Sequence, residues 1–202
     1  LRTRSNVADR DQVREGSLIK GSIKQAVLSI LEAIGEDPNR PGLRDTPRRV
    51  AEMYEELFSG MDQDPREVLS TGFEENHEGV VVLRDIPFHS MCEHHLLPFF
   101  GVAHIGYVPK GWIVGASKLV RALEVLAHRP QIQERLTSQL TDAVYETVHA
   151  GGVVVVVSAE HMCMSMRGVH KPGTHIVTVA TRGSFPEQNL GRSELLALIQ
   201  GR

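Results

Sequence analysis

The chain has 202 residues, 41% of them hydrophobic, enough for one sizeable core with room for an appended subdomain. A net charge of −3 and a pI near 6.4 give no electrostatic reason to expect nucleic acid or an anionic membrane as partner, so any anion site must be local. No apolar run approaches the ~20 residues of a membrane span, and no basic-then-apolar leader opens the chain, so a soluble cytoplasmic protein is expected. The first residue is Leu1 rather than Met, and residues upstream of it are expected.

In chain order, residues 1–15 are charged and read as a mobile arm. From Ser17 onward Ile19, Ile23, Val27, Ile30 and Ile34 recur at helical spacing, with Gly35 as the stop. A Pro- and Gly-bearing loop from Asp37 to Asp45 follows. Thr46-Pro47 then opens a second helix lined by Val50, Tyr54, Leu57 and Phe58, and Asp64-Pro65 opens a short third one through Leu69. Near Gly79 the character changes. Gly79 to Phe88 reads as a strand running into Cys92, and Phe99 to Val108 as a second strand ended by Pro109-Lys110-Gly111. Two helices are expected next, from Ser117 to His128 and from Pro130 to Ala150, the latter capped by Gly151-Gly152. Val153 to Val157 and His175 to Arg182 read as strands, and Ser193 as the start of a last helix.

The fold class is therefore α+β, in the order strand, strand, helix, helix, strand, strand, behind an N-terminal helical region over residues 16–78; residues 79–202 form the main domain. Val153 to Val157 is apolar at every position and needs cover on both faces. The N-terminal helices or a second copy of the chain could supply it, and oligomerisation is the favoured reading.

Chemistry concentrates in Cys92-Glu93-His94-His95 and in His161-Met162-Cys163. Thiolate and neutral imidazole are the donors zinc prefers, and a Cys-x-x-His turn can bring Cys92 and His95 onto one centre, with Cys163 as the third donor if the two loops meet. Three protein ligands leave a position open, as in catalytic rather than structural zinc sites. Adjacent histidines in extended chain point to opposite sides, so His94 and His161 become candidate acid and base groups beside the metal. Two cysteines could instead form a disulfide or be inert core residues; a histidine within three residues of each weighs against both.

Ser117-Lys118-x-x-Arg121 opens a helix, where unpaired N–H groups already favour an anion; the alternative is a capping serine with solvated charges. Arg167 and Lys171 add positive charge after Cys163. Gln133-Glu134 reads either as part of an exposed face or as a guanine reader, since a carboxylate can accept both N1–H and the amino group of that base.

Taken together, these motifs resemble the GTP cyclohydrolase I family. The resemblance is carried by Cys92-Glu93-His94-His95-Leu96, Gly106-Tyr107-Val108-Pro109, Gly115-Ala116-Ser117-Lys118-Leu119-Val120-Arg121, the run from Arg129 to Thr137, the run from His161 to Val169, and Thr46-Pro47-Arg48-Arg49-Val50-Ala51. It implies a tunnelling fold assembled as a homodecamer of two pentamers, with active sites at subunit interfaces. It also implies Zn²⁺ on Cys92, His95 and Cys163, proton transfer by His94, His161 and Ser117, and GTP held by Lys118, Arg121 and Arg167 at the triphosphate and ribose and by Gln133 and Glu134 at the guanine. Two departures from the family pattern stand out: Glu52 where a basic residue is expected, and Ala116 in place of a larger apolar one.

The implied reaction is attack of water on C8 of GTP, ring opening, release of formate, and closure to 7,8-dihydroneopterin triphosphate. A zinc nucleobase deaminase shares the ligand chemistry, but its Pro-Cys-x-x-Cys and His-x-Glu patterns are absent from this sequence. An oligomeric binding module with a structural zinc is the non-enzymatic alternative.

Overall fold

The computed structural model describes residues 20–77, 79–185 and 197; the expected N-terminal arm and, apart from helical Ala197, the expected last helix lie outside them. The chain divides into two compact units between Glu56 and Leu57.

In the first unit, helix α1 is described over residues 20–33 and closes where Gly35 adopts φ 84°, with Gly35 N–H on Glu32 O and Glu36 N–H on Leu31 O, both 3.0 Å. Its buried positions are Val27 and Leu31, with Ile23 half-buried. Ile30 and Ile34 are instead 60% and 69% exposed: at about 100° per residue they lie on the same side of the helix as Ile23 and Val27, so spacing alone places them correctly and what they lack is a covering neighbour among the described residues. Helix α2 (Thr46–Leu57) has Pro47 in its first turn, and Pro47 and Ala51 are its buried residues. Glu52 pairs with Arg48 one turn before it at 2.8 Å.

The second unit carries the sheet. Helix α3 (Pro65–Leu69) starts as expected, with Asp64 Oδ1 accepting from Arg66 N–H. Strands β1 (Gly72–Glu74) and β4 (Trp112–Val114) form a small antiparallel ribbon. The main sheet has the order β5-β2-β3-β6-β7, formed by β2 (Val81–Cys92), β3 (Pro98–Val108), β5 (Pro130–Gln131), β6 (Gly152–His161) and β7 (His175–Gly183). Only the two-residue β5, which runs along the end of β2, is parallel to its neighbour. Helices α4 (Ala116–Ala127) and α5 (Gln133–Val148) lie on one face, where Leu119, Leu123, Leu126, Leu136, Leu140 and Val144 meet Phe99, Ile105 and Tyr107 in the core. This is the α+β tunnelling fold expected from the sequence.

Three local expectations are corrected. The helix expected from Pro130 begins at Gln133, because Pro130 and Gln131 pair with Met91 and Cys92 as a strand. Its end is made by His149 in the left-handed region (φ 51°) rather than by Gly151-Gly152, and Gly152 already belongs to β6. The second face of β6 is covered within the chain: Val154 and Val156 pack with Val80, Val82 and Phe185, so burial of this strand needs no second copy.

The topology itself brings the two chemical loops together. β2 and β6 are both antiparallel to β3, hence parallel to each other, and both leave the sheet at the end where β3 enters it: Met91 pairs with Pro98, and Phe99 with His161. β3 and β6 approach so closely that a Cβ on Gly101 would sit 2.0 Å from Ser158 O. Through β5 the start of α5 reaches the same end, since Cys92 pairs with Gln131.

Candidate metal centre and active site

Cys92 is the last residue of β2 and is 5% exposed. The next residues form a tight turn rather than extended chain: Leu96 N–H bonds Cys92 O at 2.8 Å, Cys92 N–H bonds Leu97 O at 2.9 Å, and Leu96 takes φ 50° to close it. The expectation that His94 and His95 point to opposite sides therefore fails, because it presumed a strand. Their Nδ1 atoms lie 3.9 and 3.8 Å from Cys92 Sγ.

Of the two, it is His95 that converges with both cysteines. The ligand atoms of Cys92, His95 and Cys163 all lie within 4.8 Å of one another. Thiolate and imidazole donors at a tetrahedral zinc stand about 3.6 Å apart, close to the 3.8 Å between Cys92 Sγ and His95 Nδ1. Burial, and then the neighbouring Cys92 sulfur, push the Cys163 thiol above its ordinary range. Two sulfurs held this close repel as thiolates unless a cation lies between them, so the donor set fits a divalent metal.

Both loops are tied down. Glu93 N–H bonds Gln131 O at 3.0 Å, and its carboxylate receives Arg135 of α5 at 2.5 and 3.1 Å, an ion pair that holds the Glu93 carboxyl below the usual range. Cys163 lies in the single turn α6 (Met162–Ser165). Glu160 Oε1 clamps the ends of that loop by accepting from Ser165 Oγ at 2.6 Å and Gly173 N–H at 2.8 Å, and these bonds lower its pKa. Arg167 reaches back across the cluster, with Nη1 2.9 Å from His95 Nε2.

His161, 8% exposed, stacks flat on Phe99 with ring centroids 4.5 Å apart, and burial pushes its pKa down. Its Nε2 lies 2.9 Å from Gln133 Oε1. Gln133 is 1% exposed and its amide is wholly committed inside the fold, so it presents no free edge to a base; Glu134, the next residue, is exposed.

The anion residues lie elsewhere. α4 is capped by Gly115 without a side-chain bond, which removes the reading of Ser117 as a cap: Ser117 is the second helical residue and is exposed. Lys118 and Arg121 line a cleft of about 420 Å³ with Gln63, Val68, Glu124, Val125 and His128, a lining that includes none of the metal-cluster residues. Lys171 is exposed, and its backbone N–H bonds Met164 O at 2.9 Å. Sequence reading missed Glu160, Phe99 and Arg135. Their signal was adjacency alone, as Glu160 precedes His161 and Arg135 follows Glu134, and adjacency does not say what a side chain touches.

Fold and site thus define a tunnelling-fold protein with a three-donor Cys₂His group able to take a metal at one end of its sheet. Residues 23–200 match the GTP cyclohydrolase I family model. A protein of Halalkalibacterium halodurans named GTP cyclohydrolase 1 is 61% identical over 180 residues, covering 89% of this chain and 96% of that one. Proteins of the same name from Dehalococcoides mccartyi and Bacillus subtilis are 59% and 58% identical, over 89% and 90% of this chain and 96% of each of theirs. The chain belongs to the GTP cyclohydrolase I family of enzymes. Among solved structures, the archaeosine synthase QueF-Like in the apo form aligns with a TM-score of 0.42 at 19% identity, over 55% of this chain and 100% of that one.

Proposed function

We propose that the chain hydrolyses GTP at C8, opens its imidazole ring, releases formate, and rearranges the remainder to 7,8-dihydroneopterin triphosphate, with zinc on Cys92, His95 and Cys163. The observation that carries this reading is the convergence of those three side chains, from loops about seventy residues apart, at the end of the sheet where His161 and the start of α5 also arrive. A bound zinc would supply the Lewis acidity that makes water a nucleophile near neutral pH.

The remaining work falls to side chains. His161 and His94 flank the donor group and carry protons to and from the purine, and Ser117 serves the later ribose steps. Glu134, exposed at the start of α5, accepts from N1–H and the amino group of guanine. Arg167, beside His95, and Lys118 and Arg121 hold the triphosphate and ribose. Because the cleft of Lys118 and Arg121 contains none of the metal-binding residues, a second copy of the chain is the natural source of that half of the site. The edge strand β7, with Val177 and Val179 60% and 45% exposed, offers a surface for it, in keeping with a homodecamer with interfacial sites. Residues 79–202 are then the catalytic domain and 16–78 a helical region. No helix among the described residues is long and apolar enough to cross a membrane, and we place the enzyme in the cytoplasm, where its thiols stay reduced.

The test is incubation with GTP, following formate and the fluorescence of oxidised neopterin. Chelation should abolish both and zinc restore both. Full turnover by metal-free protein would overturn the zinc assignment, and zinc-replete protein that leaves GTP intact would favour a binding module with a structural metal.

A further inference from the structure

The buried amide of Gln133 has surroundings that fix which end is which. Its Nε2 faces three oxygens: Val157 O of β6 at 3.0 Å, Ile176 O of β7 at 2.9 Å and Thr178 Oγ1 at 3.1 Å. The two carbonyls can only accept, so the NH₂ must point to them; the flipped amide would set its own oxygen against both. The hydroxyls agree. Thr137 Oγ1 donates its one proton to Gln133 O at 2.7 Å, so in the 2.6 Å contact between Thr137 and Thr178 the proton comes from Thr178. Thr178 Oγ1 is then left to accept from Gln133. The two N–H bonds serve three acceptors, so one of them is shared, and this orientation is the one that sets no amide oxygen against the two carbonyls.

The other end, Oε1, is therefore an acceptor, and it lies 2.9 Å from His161 Nε2. A neutral imidazole carries one N–H, and here it must be on Nε2. The ring plane is set as well, by the flat stack on Phe99, the direct cross-strand partner of His161. We propose that Gln133, aimed by Thr178 and the β6 and β7 carbonyls, is a positioning residue that holds His161 as the Nε2–H tautomer, so that Nδ1 is the atom left for proton exchange with substrate. The kinetic consequence rests on the reaction proposed above; the tautomer does not.

The reading departs from a direct guanine contact by Gln133, and the two separate cleanly. Gln133→Met keeps the length and removes the acceptor, and Thr178→Val removes only the hydroxyl that aims the amide. Both are compared with wild type and Thr178→Ser in kcat, in KM for GTP and in bound metal. Positioning predicts that Gln133→Met loses about tenfold or more in kcat with KM within about threefold, that Thr178→Val loses less in the same parameter, and that Thr178→Ser behaves as wild type. A Gln133→Met enzyme with wild-type kcat and raised KM would instead mark a substrate contact and overturn the proposal. So would a Thr178→Ser enzyme as impaired as Thr178→Val. Independently of turnover, solid-state ¹⁵N spectra of histidine-labelled wild type, less those of His161→Asn, should show Nε2 protonated and Nδ1 bare; the reverse pattern overturns it even if Gln133→Met does not fold. Failure of wild type to convert GTP would strike the reaction assignment and leave the spectroscopic test standing.

Discussion

The loops around Cys92 and Cys163 and the first turn of α4 are both rich in polar side chains, yet the fold treats them in opposite ways. Around the thiols most groups are tied: Glu160 to Ser165 and Gly173, Glu93 to Arg135, Gln133 to His161. At the start of α4, Lys118 and Arg121 face a cleft and, among the described residues, make no ion pair. Closely spaced ligands must be held before an ion arrives, or the cost of ordering them is subtracted from its binding. Long basic side chains bind a flexible polyanion and can stay loose until it comes. Preorganisation is concentrated where the geometry is demanding.

That contrast can be broken by mutation. The largest effect is expected from Cys163→Ser, which should lose metal and formate release together, each by more than about a hundredfold, as read by elemental analysis and product assay. Metal-free protein with full activity would end the distinction between the two regions. Next, Lys118→Ala and Arg121→Ala should each raise KM for GTP about tenfold or more with metal content unchanged, since a charge-assisted phosphate contact contributes about 1.5–3 kcal/mol. Loss of metal in either would show that the two regions are not separable.

Glu160→Gln sharpens the comparison, because it removes charge from the clamp and leaves the ligands alone. We expect metal affinity to fall about tenfold in competition with a chromophoric chelator, with KM for GTP unmoved. The smallest effect lies away from both regions, at the β2 bulge, where His104 Nδ1 accepts from Asp85 N–H at 3.1 Å and burial lowers the pKa of the ring. With the folded value below the ordinary ~6.5, the unfolded chain binds the proton more readily, so this contribution is complete above that pH and is lost as pH falls toward the folded value. From pH 7.5 to about 5.5, wild type should lose about 2 °C more in melting temperature than His104→Asn. Equal slopes in calorimetry would remove His104 from the account.

The sequence by itself determined the α+β order, the identity of the three donors and the family, because hydrophobic period, donor chemistry and long motifs are local properties that survive without coordinates. Even there, local rules had limits: Pro130 looked like a helix start but pairs as a strand, and Ile30 and Ile34 look buried by spacing yet are exposed. Only the tertiary structure decided that two strands antiparallel to a shared third must exit at one end, which brings Cys92 to Cys163. It also decided that Gln133 faces inward to His161 while Glu134 faces out, since consecutive helical residues point about 100° apart and only packing says which of them meets the sheet.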